Sequence, residues 1–190
     1  MPGDDLVPSP QLSTTRAVTI DAPRTQVWRW LAQLGVGRAG LYSYDALENA
    51  LLGYGIRSSD EIVPELQQLS VGDAIALAPG GAMSLEAVQV EPPDHLVLLA
   101  RVEGGSGRLL GPGETTGREA FAVSWAWSLR EAGTERTRLV ARFRLRWTPG
   151  PLNWLMWRGM TEPAHFVMER KMLLGIRERA ERAWRQAVPA

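Results

Sequence analysis

The sequence contains no cysteine. That excludes disulfides, thiolate nucleophiles and thiolate metal sites. Histidine is scarce, with His95 and His165 the only two. They lie far apart and fit no zinc-binding spacing, so neither a metal nor a cofactor is expected. A charge excess is missing as well. The 21 Lys and Arg balance the 21 Asp and Glu. Nothing global therefore recruits nucleic acid or an anionic membrane. Lys171 is the single lysine, so arginine supplies nearly every cation. No apolar run approaches the roughly 20 residues that span a bilayer, so no integral membrane segment is expected. The stretch MPGDDLVPSPQLS is acidic and has no apolar core. It is not expected to be a signal peptide, and a cytoplasmic protein is the expectation.

What remains is enough for one sizeable core in 190 residues. Residues 1–13 read as a flexible lead-in and 14–187 as a single domain. Thr14–Ile20 is rich in β-branched residues and reads as a strand. Asp21 then reads as an N-cap, and a helix follows to about Leu34, stopped by Gly35. Its Val27, Trp30, Leu31 and Leu34 recur at helical spacing, the pattern of a helix packed on a sheet. Gly35–Gly40 (GVGRAG) is a glycine-rich turn. It lies between two helices and not between strand and helix, so no nucleotide site is expected there. Ser43 can cap a short helix, Tyr44–Leu52.

Closely spaced strands come next, at Ala74–Ala78, Met83–Val90 and His95–Val102. Their hairpin-like connections predict an antiparallel sheet. Glu103–Glu119 is a long glycine-rich loop. In Phe121–Arg130 the residues Phe121, Val123, Trp125, Trp127 and Leu129 point one way. In Arg136–Trp147 the residues Leu139, Ala141, Phe143, Leu145 and Trp147 share a face, with Arg138, Arg142, Arg144 and Arg146 opposite. That arginine stripe reads as a solvated face that resists edge pairing, and no nucleic-acid partner is expected. Leu152–Met160, rich in Trp and Met, reads as a separate helical segment. Thr161 is placed to cap the last helix, with Pro163 in its first turn.

That last helix, Pro163–Trp184, organises the chain. His165, Phe166, Glu169, Met172, Leu173, Ile176, Ala180, Ala183 and Trp184 share one face. Two ionisable residues thus stand at the start of an otherwise apolar stripe. The whole order predicts an α+β fold: a curved antiparallel sheet wrapped on a long C-terminal helix.

The order resembles the helix-grip fold of the START-like superfamily, which includes polyketide cyclase/dehydrase-like (SRPBCC) proteins. Gly40–Asn49 (GLYSYDALEN), Pro163–Ile176 and the turn Val71-Gly72-Asp73 look like one bacterial branch of it. The resemblance implies a cavity between sheet and final helix, but it carries over no reaction. Candidate ligand-binding residues are Tyr42, Tyr44, Asp45, Glu48, Trp125, Trp127, Phe143, Phe166, Met172 and Ile176. His165 and Glu169 are candidate catalytic residues. At i, i+4 they can hydrogen-bond, and an ionised Glu169 would raise the His165 pKa. Tyr44, Asp45 or Glu48 on the short helix would approach them. The leading expectation is binding of a small hydrophobic molecule, lipid-, polyketide- or aromatic-like, between the sheet and the final helix, with Glu103–Glu119 and Leu152–Met160 as gates. The alternatives are a cyclase, dehydratase or hydrolase using His165 and Glu169, or an interaction module, in the simplest case a homodimer. No serine-hydrolase elbow G-x-S-x-G occurs.

Overall fold

The strict alternation in the two Trp-rich strands fixes the centre of the sheet. In the computed structural model, which describes residues 1–44, 57–81, 83–110, 114 and 119–187, they become β5 (Glu119–Glu131) and β6 (Thr137–Trp147). Phe121 pairs with Trp147, Val123 with Leu145, Trp125 with Phe143 and Trp127 with Ala141. One face of the pair is thereby wholly apolar. The other strands are β1 (Leu12–Ile20), β2 (Ala74–Ala76), β3 (Ser84–Glu91) and β4 (His95–Glu103). All six are antiparallel neighbours in the order β1-β6-β5-β4-β3-β2.

Helix α1 (Arg24–Ala32) buries Val27, Trp28, Trp30 and Leu31 in the common core. It starts later than Asp21 suggests. The Asp21 carboxylate accepts a hydrogen bond from Arg136 Nε at 2.7 Å and caps nothing, and Pro23 occupies the N-cap. The glycines of 35–40 do fall at G-x-G-x-x-G spacing, but the loop leaves α1 and closes on itself. Gly35 and Gly40 exchange backbone hydrogen bonds of 3.0 Å.

The expected break before the last helix is absent. A turn of helix, α2 (Pro151–Trp154), runs through a wide π-helical stretch, Leu155–Thr161, into α3 (Glu162–Ala187). Thr161 does not cap α3; its hydroxyl donates to the Met156 carbonyl at 3.1 Å. Pro163 lies inside the continuous helix. Proline removes one donor and crowds the carbonyl four residues back. The π turn widens the backbone where that crowding falls, and Gly159 stands at that position.

The convex face is not bare. Residues 1–8 lie across it on the arginine stripe. Arg142 and Arg144 reach Asp4 at 2.6 and 3.7 Å, and Arg144 also donates to the Val7 carbonyl. Val7 is fully buried, as are Ser124 and Ser128, which sequence alternation places on the outer side. Among the described residues, no helix is long and apolar enough to cross a membrane.

Candidate functional site

The concave face meets α3 along its length. Met172, Leu173, Ile176 and Ala180 are buried against the sheet and α1. Towards the N-terminal end of α3 the contact does not close. A partly open cavity of about 270 Å³ lies there between β5, β6, the β2–β3 region and α3. Its wall is aromatic and aliphatic, with Phe121, Trp125, Phe143 and Trp157 the largest side chains. Among the described residues, the polar side chains that reach it are Ser43, Thr161, His165 and Glu169.

Glu169 is the most constrained of these. Its side chain is fully buried. Oε1 accepts from Trp125 Nε1 at 2.8 Å, and Oε2 pairs with the Arg16 guanidinium from β1. Burial pushes its carboxyl above the usual range, and the bonds from Arg16 and Trp125 pull back without cancelling that. Arg16 also lies over the Phe166 ring, 4.8 Å from its centroid.

His165 is not joined to Glu169. The carboxylate is taken up by Trp125 and Arg16, so it cannot orient the imidazole. The expected rise in the His165 pKa is therefore reversed. Burial, with the positive charge of Arg16 adding to it, pushes the group down to about 4. The ring is held by aromatic neighbours, Phe143 at 4.1 Å and Trp125 at 5.3 Å between centroids. Its Nε2 is buried and meets no partner among the described residues.

The other candidates divide clearly. Trp125, Phe143 and Met172 line the cavity with His165 and Glu169. Trp127 and Ile176 are fully buried core residues beside it, Trp127 at 4.5 Å from Trp125. Tyr42 is core as well: its hydroxyl accepts from Gln33 and donates to the Trp30 carbonyl, and burial pushes its pKa up to about 12. Phe166 is half exposed beneath Arg16. Tyr44 is exposed, with the Lys171 ammonium 5.8 Å from its ring. Asp45 and Glu48 lie outside the described residues. Of the Glu103–Glu119 loop, the first part folds back on β4, Leu110 donating to the Arg101 carbonyl at 2.8 Å.

Sequence reasoning missed Arg16. Its signal was present: Leu12, Arg16, Val18 and Ile20 share one strand phase, so an arginine in that phase must point inward. Among the described residues no group of acids and histidines could hold a metal.

A curved sheet gripping one long helix, with a cavity at the helix's near end, decides the architecture. The fold is the helix grip. No protein-family model matches the sequence, and no curated protein does. Solved structures do. The chain is similar to the hypothetical protein jhp0584 of Helicobacter pylori, at 14% identity and a TM-score of 0.51 over 95% of this chain and 94% of that one. It is more distantly similar to the Zhui aromatase/cyclase of Streptomyces sp. R1128, at 17% identity and 0.44 over 94% and 99%. CalU16 of Micromonospora echinospora follows at 17% and 0.37 over 92% and 86%. At these identities the likeness is one of fold and says nothing of chemistry.

Proposed function

We propose that the protein binds a small hydrophobic molecule in the cavity between the sheet and the start of α3. The observation that carries this is the cavity itself, about 270 Å³ with an almost wholly apolar wall. Trp125, Phe143 and Met172 form the wall, and His165 and Glu169 supply its ionisable groups. In this reading His165 and Glu169 bind and position; they do not form an acid/base pair, because Glu169 is engaged elsewhere. Thermal unfolding with a panel of apolar ligands tests it. A ligand at a hundredfold excess over its Kd adds about 2.7 kcal/mol, a rise in Tm of roughly 5–10 °C for a chain of this size. A flat response across the panel sinks the proposal.

One observation favours a second reading. Leu152, Trp154 and Met160 are 77%, 60% and 71% exposed, apolar surface on the helical stretch that leads into α3. In this reading a second copy of the chain covers it. Sedimentation at micromolar concentration decides: a strict monomer removes it.

A further inference from the structure

We propose that His165 Nε2 selects the ligand, and that the ligand is a flat, uncharged aromatic molecule presenting one hydroxyl donor. This rests on the binding reading above and adds the ligand's chemistry.

The argument starts from the polar groups on the wall. Three of the four are already engaged within the protein. The Thr161 hydroxyl donates to the Met156 carbonyl. The Ser43 hydroxyl donates to the Met168 carbonyl at 3.4 Å. Both Glu169 oxygens are occupied, one by Trp125 and one by Arg16. Among the described residues, His165 Nε2 alone is buried and unpartnered on this wall. The other buried polar atoms left without partners among them belong to Asp4, Trp30, Arg38 and Trp127, none of which lines the cavity.

The imidazole is also held in place. Contacts with Phe143 and Trp125 fix the ring plane, and with it the direction of Nε2. The low proton affinity of His165 keeps the ring neutral at physiological pH. In the tautomer that carries its proton on Nδ1, the neutral imidazole presents Nε2 as a hydrogen-bond acceptor, and this is the form assigned to His165. A ligand hydroxyl satisfies it and takes over the bond that a water would otherwise make. An analogue without the donor displaces that water and returns nothing. The same discrimination separates hydroxylated from plain aromatics wherever a buried polar group must be matched.

The wall specifies the rest. Phe121, Trp125, Phe143 and Trp157 offer ring faces and edges, which suit a planar aromatic guest. A volume of 270 Å³ equals that of about nine liquid waters, room for two fused rings. A charged group would enter at high cost, since among the described residues no free countercharge lines the wall.

Isothermal titration at pH 7 with 2-naphthol and 2-methoxynaphthalene tests the inference. In the unaltered protein 2-naphthol should bind roughly tenfold tighter or better. In His165→Leu the two should come within twofold, with 2-methoxynaphthalene binding at least as well as before. His165→Gln, which keeps an acceptor, should retain part of the preference. A measurement without substitution stands beside these: the 15N signal of His165 Nε2 should move with 2-naphthol and stay with 2-methoxynaphthalene. Equal affinities in the unaltered protein overturn the inference and leave hydrophobic binding standing. So does a preference that survives in His165→Leu. If neither probe binds, the binding reading fails for guests of this size and the inference fails with it.

Discussion

The indole Nε1 of Trp125 donates to Oε1 of Glu169 at 2.8 Å, across the gap between β5 and α3. It is a polar tie in the wall of an apolar cavity, and both ends of it are buried. Trp125→Phe keeps an aromatic ring and removes the donor. The loss expected on urea unfolding is about 1–3 kcal/mol, the cost of leaving a buried acceptor short of a partner. A change within 0.3 kcal/mol would show that the bond does not hold the helix.

Arg16 and Glu169 test a different property of the same carboxylate. The Glu169 side chain is fully buried, and Arg16 is 17% exposed. Glu169→Leu strands the guanidinium at the cavity edge and should cost about 2–4 kcal/mol. Arg16→Met together with Glu169→Leu removes both charges and should recover part of it, the Trp125 indole still lacking its acceptor. A double-mutant cycle by chemical denaturation gives the coupling, expected at 1 kcal/mol or more. Additive single effects would refute the pairing.

The pH dependence of stability follows from His165, with Arg16 on β1 and Glu169 on its own helix as the charged groups that face it. Unfolded, His165 takes its proton near 6.5; folded, near 4. Between those values the unfolded chain holds more protons. The contribution of His165 is intact above about pH 6.5 and drains away as pH falls towards 4. Glu169, raised by burial, acts in the opposite sense: its contribution is present at low pH and lost as pH rises through its folded value. The clean measurement is the difference between the unaltered protein and His165→Gln. Between pH 7 and pH 4 the unaltered protein should lose up to about 3 kcal/mol relative to the variant. A pH-independent difference contradicts the burial of a neutral imidazole.

Gly175 lies where α3 approaches the chain at Tyr42. A Cβ there would come within 2.5 Å of the Tyr42 carbonyl oxygen. Gly to Ala in a free helix is worth up to about 1 kcal/mol of stabilisation. Here Gly175→Ala should destabilise by about 1–3 kcal/mol, because backbone must move to admit it. A raised Tm for this variant would mean that the helix packs less closely than described.

The fold was legible in the sequence because its strongest signals are periodic. The period-two pattern of β5 and β6 and the long apolar stripe of α3 each survive any error in a boundary. Local signals were less secure. Asp21 reads as an N-cap, but Arg136, 115 residues away in sequence, competes for its carboxylate. Pro163 reads as a helix start, because sequence alone does not show a π turn opening space for it. The candidate site was legible in part. Trp125, Phe143, Met172, His165 and Glu169 come together at the cavity, whereas Tyr42, Trp127 and Ile176 share the pattern of wall residues and pack one layer away. Nothing in a single sequence distinguishes a cavity wall from the core behind it. The partner of Glu169 was misread for a related reason: i, i+4 proximity favours His165, and the fold offers Trp125 and Arg16 instead.

The π turn at Leu155–Thr161 divides one continuous helix into two stretches that answer to different constraints. From Met172 onward, α3 presents buried side chains to the core, and substitution there is paid in stability. Along 151–161 no residue is buried. Trp157 still packs on Phe121 and Trp147 and, with Thr161, lines the cavity, so substitution at either is expected to alter the wall. At the exposed Leu152, Trp154 and Met160, substitution is expected to leave the folded state nearly as stable as before.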